Sequence, residues 1–242
     1  MKIAVITPYF KEPIEFLRQC HESVKTQGVS ADHFFIADGF PNEELISWGV
    51  KHATLPQAHA DNGNTPRGIG SILADIEGYD FISYLDADNW FHPGHLESLL
   101  NLWNKTKANI CSSLRTYHTL DGIKLDIREV ADFSLEHIDT SCYLIHRSAF
   151  EVLDTWNKMP YQLSPICDRI FLAALRNKRF KFASTKNQTV AFRSQYKQHY
   201  LAAKITPPAQ AKDNIEKESL AWMSTKEGMR ETAKKLGFIP YF

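Results

Sequence analysis

The sequence predicts an α/β protein whose mostly parallel sheet is flanked by helices. Three observations predict it. Apolar, β-branched runs alternate with helical patterns through the first 113 residues, the order expected when crossover helices join parallel strands. Several of these runs stop at polar turn residues. The composition is globular, with 43% hydrophobic, 12% aromatic and 23% charged residues in a 242-residue chain.

The elements follow in order. "KIAVITPYF" is a buried strand ended by Pro8. In "EPIEFLRQCHESVKTQG", Ile14, Leu17, Cys20 or His21, and Val24 recur at helical spacing, with Pro13 at the entry and Gly28 at the exit. "HFFIADG" is a second strand, residues 43–48 a short helix, and "VKHATLP" a third strand. "RGIGSILADIEG" places Ile69, Ile72, Leu73 and Ile76 on one helical face and stops at Gly78. "DFISYLDAD" is the fourth strand, "HPGHLESLLNLWNK" a helix with Leu96, Leu99, Leu100 and Trp103 inward, and "ANICSSL" the fifth strand. The pattern then changes. "RTYHTLDGIKLDI" reads as a hairpin about Asp121–Gly122. "SCYLIHR" is a strand, "SAFEVLDTW" a helix, and "SPICDRIFLAALRNK" a helix entered through Ser164 and Pro165. "FKFAS" and "TVAFR" are two late strands, and a helical C-terminal appendage closes the chain. The expected organisation is a core of residues 1–205, divided into a first half to residue 113 and a second from 114, with the appendage over 206–242.

Bulk properties exclude several classes. Zero net charge argues against a dedicated nucleic-acid binder. No apolar stretch approaches a membrane span, and the N-terminal run is too short for a signal peptide. Four cysteines without CxxC spacing predict reduced, buried thiols and a cytoplasmic setting. Between Asp168 and Asp213 the chain carries basic residues and no acid. That interval reads either as a solvated face or as a surface for an anion, including an anionic membrane touched from the side.

In open α/β sheets ligands bind beyond the carboxyl ends of the strands. Here those ends carry Thr7, Pro8 and Tyr9, then Asp38 and Gly39, then Asp86, Ala87, Asp88 and Asn89. "NTPRG" brings Arg67 to the same edge. Asp86 and Asp88 are two residues apart in an extended chain and can face the same way. Two close carboxylates repel unless a cation compensates, and Mg²⁺ or Mn²⁺ with open positions would do so and hold a diphosphate. The alternative is a local turn that uses both aspartates as caps. EF-hand, zinc, P-loop, dinucleotide-fingerprint and GxSxG readings all lack their required residues.

In these segments the chain resembles a family 2 glycosyltransferase of the GT-A fold, over about residues 2 to 200. "VITPYFKEPIEFLRQCHESVKTQ" is similar to that family's opening strand and helix, and "PRGIGSILADIEGYDFISYLDADN" to the segment from a nucleotide-contacting Arg into its DxD motif. "DTSCYLIHRSAF" resembles the strand and helix after the acceptor region, "CDRIFLAAL" the segment with the catalytic base, and "VAFRSQYKQHY" the closing segment. Two departures stand out: Ala37 replaces an acid beside Asp38, and Cys167 replaces one beside Asp168.

The resemblance implies a UDP- or GDP-linked sugar donor, a Mn²⁺ or Mg²⁺ ion, and inversion at the anomeric carbon. It implies that Thr7, Pro8, Tyr9, Asp38 and Arg67 meet the nucleotide, that Asp86 and Ala87 lie near the ribose, and that Asp88 ligates the metal. Asp168 would be the general base. Arg193, Tyr196 and His199 would contact the diphosphate or a lid. The QxxRW motif and membrane helices of processive synthases are absent, so single addition to a glycan, lipid-linked or small acceptor is expected. Acceptor choice falls to residues 115–140. The rivals are a nucleotidyltransferase, which would need a Gly-rich basic loop after the first strand, and a nucleotide-sugar binder without chemistry.

Overall fold

A computed structural model describes residues 1–127, 134, 136–213 and 216–241. Part of the acceptor interval, residues 128–133 and 135, lies outside these. In chain order the elements are β1 (Ile3–Tyr9), α1 (Ile14–Lys25), β2 (Asp32–Ala37), β3 (Lys51–Thr54), α2 (Asn64–Ile76), β4 (Phe81–Tyr84), β5 (Trp90–Phe91), α3 (His95–Thr106), β6 (Ile110–His118), β7 (Lys124–Leu125), β8 (Tyr143–His146), α4 (Thr155–Lys158), α5 (Cys167–Asn177), β9 (Phe182–Arg193), α6 (Lys197–Ala202), α7 (Glu216–Met223) and α8 (Lys226–Leu236). Among the described residues, one sheet runs β3-β2-β1-β4-β8-β6-β9-β5, with β7 beside β6.

The first four strands in this order are parallel. All seven residues of β1 are buried, as its continuous apolar run requires. Because β1, β2 and β4 are parallel, their carboxyl ends share one edge. Tyr9 pairs with Ala37, and Leu85 N–H reaches Ile6 O at 3.0 Å. β8 then enters between β4 and β6, antiparallel to both. The sheet is therefore mixed, with its parallel half confined to β3, β2, β1 and β4 plus the β6–β9 pair.

Several sequence expectations change here. The helix of residues 43–48 is a 3-10 turn. The two late strands are one, β9, which follows β6 in parallel through irregularities at Leu114. Helix α2 turns only part of its apolar face inward, with Ile69 and Leu73 against the core. Ile72 and Ile76 are exposed, while Gly70, Ser71 and Ala74 are buried. The cause is close approach: a Cβ on Gly70 would lie 2.6 Å from Ile6 Cγ2 and 3.1 Å from Ile36 Cγ1. A helix this near the sheet turns its small residues inward and leaves bulk outside. The C-terminal segment also packs back on the molecule, with Leu220, Trp222, Met223, Leu236 and Phe238 against the main core.

Candidate active site

A cleft of about 640 Å³ opens at the carboxyl edge of β1, β2 and β4. It lies within the roughly 300–1,000 Å³ typical of small-molecule sites. Pro8, Tyr9, Asp38, Arg67, Asp86, Ala87, Asp88, Asp168, Tyr196 and His199 line it. These residues come from six stretches of chain, gathered by parallel strand ends on one side and by α5 and the segment after β9 on the other.

Its floor is built from below. Trp156 on α4 stacks on Phe171 of α5 at 4.2 Å and donates from Nε1 to the Tyr84 hydroxyl at 2.9 Å. Ser71 Oγ donates to Arg67 O at 2.7 Å and therefore accepts from Tyr84 at 2.8 Å. Above this packing Arg67 is buried, with its guanidinium 5.3 Å from the Trp156 ring. It donates from Nη1 to Asn62 O at 2.7 Å and from Nη2 to Asp86 Oδ1 at 2.5 Å. Burial opposes its charge, but the Asp86 carboxylate outweighs that and raises its pKa.

Asp86 and Asp88 follow β4, and the Asp86 N–H donates to Ser141 Oγ at 3.2 Å. Asp88 Oδ2 accepts from Gln195 Nε2 at 3.1 Å. Burial, with the Asp86 charge beside it, pushes the Asp88 carboxyl up to about 7. A carboxylate so short of positive charge suits a divalent cation. Among the described residues no group of three His, Cys, Asp or Glu stands ready for a metal. The donor set thus fits an ion held by one or two carboxylates together with ligand oxygens, as Mg²⁺ often is.

Asp38 is buried and fully engaged. It accepts from His59 N–H at 2.9 Å and Ala60 N–H at 2.9 Å, and lies 3.1 Å from His59 Nδ1. It fixes a loop in which Ala60 and Asn62 both have positive φ. Gly39 permits that approach, since a Cβ there would lie 2.6 Å from Ala58 N. The Tyr9 hydroxyl accepts the Asn42 N–H at 2.9 Å and meets His52 Nε2 at 2.7 Å.

Opposite, Asp168 begins α5. Its Oδ2 is 2.6 Å from His137 Nε2, and its Oδ1 accepts the Arg169 N–H at 2.8 Å. Burial alone would raise this carboxyl, but His137, the Arg169 N–H and Arg115 overcome it and lower it. Cys167, also on the wall, is a thiol pushed up to about 12 by burial. His199 bonds Ser194 Oγ at 2.7 Å, and burial lowers it to about 4.

Two residues expected at the ligand are not among those lining the cleft. Thr7 is fully buried two residues inside β1, its hydroxyl 2.8 Å from His33 Nε2. Arg193 is buried behind the cleft. It donates to Asp88 O at 2.9 Å, Leu120 O at 2.5 Å and Gln19 Oε1 at 2.5 Å, with its guanidinium 4.0 Å from the Phe16 ring. Some cations of the basic interval pair with acids from other segments: Arg169 with Glu216, Lys178 with Glu151 and Lys197 with Asp213. Sequence reasoning missed Asn89, whose Oδ1 accepts the Arg193 N–H at 2.9 Å, along with Gln195 and His137. Asn89 carried a signal, an amide directly after the paired aspartates. The other two carried none, because their partners are remote in sequence.

No helix among the described residues is long and apolar enough to cross a membrane. No curated protein matches the chain in sequence. Solved structures of S. aureus TarS share the fold. The 1–349 segment in complex with UDP superposes with a TM-score of 0.61 at 12% identity, covering 84% of this chain and 63% of that one. A second TarS structure gives 0.61 at 10% identity, covering 96% and 41%. The 1–349 segment with UDP-GlcNAc gives 0.60 at 10% identity, covering 97% and 73%. The chain thus spans less than two thirds of the first two structures. Residues 4–153, more than half of the chain, match the glycosyl transferase family 2, and the chain belongs to that family.

Proposed function

We propose that this protein moves a sugar from a UDP- or GDP-linked donor to an acceptor hydroxyl, with inversion and one addition per reaction. The observation that carries it is one cleft lined by Asp86, Asp88 and Asp168, with the paired aspartates at a strand end and the third at a facing helix start. Membership of family 2 supports a nucleotide-sugar donor. The TarS complexes with UDP and UDP-GlcNAc favour a UDP-linked one.

In this reading the acceptor oxygen attacks the anomeric carbon as the bond to the diphosphate oxygen breaks, and the electron pair leaves with the diphosphate. The hydroxyl proton passes to the Asp168 carboxylate. A carboxylate already held by two hydrogen-bond donors is a weakened base, so the proton moves late, once the oxygen has begun to bond to carbon. Arg67 holds Asp86 in place, and Tyr9 and the Asp38 loop wall the nucleotide end. Asp88, with Asp86 beside it, would hold a Mn²⁺ or Mg²⁺ ion that neutralises charge on the leaving diphosphate. Thr7 and Arg193 have supporting roles outside ligand contact. Acceptor identity, whether glycan, lipid-linked or small molecule, belongs to the second half of the chain.

The test is release of nucleoside diphosphate from a panel of nucleotide sugars, with and without Mn²⁺. Ion-dependent release from one donor, lost in Asp88→Ala, supports the proposal. Pyrophosphate release would indicate a nucleotidyltransferase, and tight donor binding without turnover a binder.

A further inference from the structure

Asp168 is the end of a connected series of polar groups. His137 Nε2 lies 2.6 Å from its Oδ2. Arg115 Nη2 lies 3.4 Å from His137 Nδ1, and Arg115 Nη1 donates to Asp139 Oδ2 at 2.8 Å. Asp139 Oδ1 accepts the Ser141 N–H at 2.9 Å. Ser141 Oγ in turn accepts the Asp86 N–H at 3.2 Å. The series links the paired-aspartate segment to Asp168 across the cleft. Its side chains are largely withdrawn from water: Arg115 is 10% exposed, Asp139 7% and His137 15%.

The chemistry of the series fixes its direction. A guanidinium only donates, so His137 Nδ1 is the acceptor there. A ring that accepts at Nδ1 carries its hydrogen on Nε2, which donates to Asp168. With His137 on Oδ2 and the Arg169 N–H on Oδ1, both carboxylate oxygens are held. Among the described residues, the other groups bearing on Asp168 include the Arg115 guanidinium, the Cys167 thiol and the Tyr196 phenol. The last two are half-buried, and burial raises both pKa values and keeps them neutral.

We propose that His137 is a positioning residue for Asp168, its Nε2–H fixing the carboxylate in one ionised orientation and Arg115 fixing the tautomer that makes this donation. The proposal rests on the reading of Asp168 as the base. An unrestrained carboxylate at the start of a helix samples several rotamers, and catalysis is sensitive to shifts of about 1 Å in a reacting group. His137 removes that freedom, and the link through Ser141 keeps the base in register with the donor side.

The experiment combines histidine NMR with kinetics at saturating Mn²⁺. In protein labelled with ¹⁵N-histidine, the resonances missing from His137→Gln identify the ring. The expected form is the Nε2–H tautomer, lost or mixed in Asp168→Asn. His137→Ala should lower kcat about 10–100-fold with donor KM within about twofold, as expected for lost orientation. Its acid limb should move up by about one pH unit or more, as Asp168 loses the donor that favours its charged form. His137→Gln, which keeps an N–H donor, should recover most of the loss. A Nδ1–H tautomer, or His137→Ala with wild-type kcat and pH profile while Asp168→Asn is inactive, would overturn the proposal alone. Full turnover in Asp168→Asn would overturn the base reading beneath it.

Discussion

Arg193 offers a clean separation between a ligand contact and a structural clamp. Its three side-chain bonds end on Asp88 O, Leu120 O and Gln19 Oε1, so it ties the paired-aspartate segment to α1 and to the turn after β6. Arg193→Ala removes all three and opens the space between Phe16 and Trp90, whose rings lie 4.0 and 5.0 Å from the guanidinium. Hydrogen bonds from a charged donor contribute about 1.5–3 kcal/mol each, but bonds from one group do not add fully. A loss of about 3–5 kcal/mol follows, large beside the total stability of roughly 5–15 kcal/mol typical of domains. For a chain of this size that is a fall in Tm of roughly 6–20 °C, at about 2–4 °C per kcal/mol. Arg193→Lys keeps the charge and loses the planar fork, so it should recover less than half of the loss. Thermal unfolding and donor titration read the two roles apart. An unchanged Tm with a raised donor KM would refute the clamp and make Arg193 a diphosphate contact.

Gly70→Ala puts a methyl 2.6 Å from Ile6 Cγ2, an overpacking cost of about 1–3 kcal/mol against a helix-propensity gain of about 1 kcal/mol. Chemical denaturation should show a net loss, and a gain would mean that α2 can lift freely from the sheet. Asn89→Ala strands the buried Arg193 N–H and should cost about 1–3 kcal/mol, whereas Asn89→Asp keeps the acceptor and should cost less; equal losses in the two would remove that bond from the account. Acid should also weaken the fold. Burial holds His33 well below its usual value and His95 at about 3, while the unfolded chain titrates near 6.5. The unfolded state therefore binds more protons below pH 6.5. The stability these histidines contribute is full above that value and falls through the window beneath it, by about 2 kcal/mol for His95 between pH 7 and pH 5, with His33 acting in the same direction, while Asp88, raised to about 7, gains its proton in the fold and offsets part of the fall. In Asp88→Asn, which removes that offset, urea midpoints that do not change over this range would refute the buried-neutral assignment.

What the sequence disclosed and what it withheld divide along physical lines. Strand and helix alternation is written in local hydrophobic period, so β1 to β4 and the gathering of Tyr9, Asp38, Arg67, Asp86 and Asp88 at one edge could be read directly. Period fails where the best packing is not the most apolar face. Helix α2 shows this, because Gly70 and Ala74 bury more closely against the sheet than Ile72 and Ile76 could. Strand parity with depth would have found Thr7, two residues inside the edge and hydrogen-bonded to His33. Other features depend on chain reversals that no local pattern encodes. β8 enters between β4 and β6, and that insertion brings Ser141 beneath Asp86. Asp139 and His137, just before it in sequence, are thereby carried to Arg115 and Asp168. A reading built on motif segments finds the charged groups that face a ligand. It does not find the neutral or counter-charged residues that hold them, since a partner 31 positions away along the chain leaves no mark on local composition. The paired aspartates and the acid at the start of α5 were legible for this reason, and the connection between them was not.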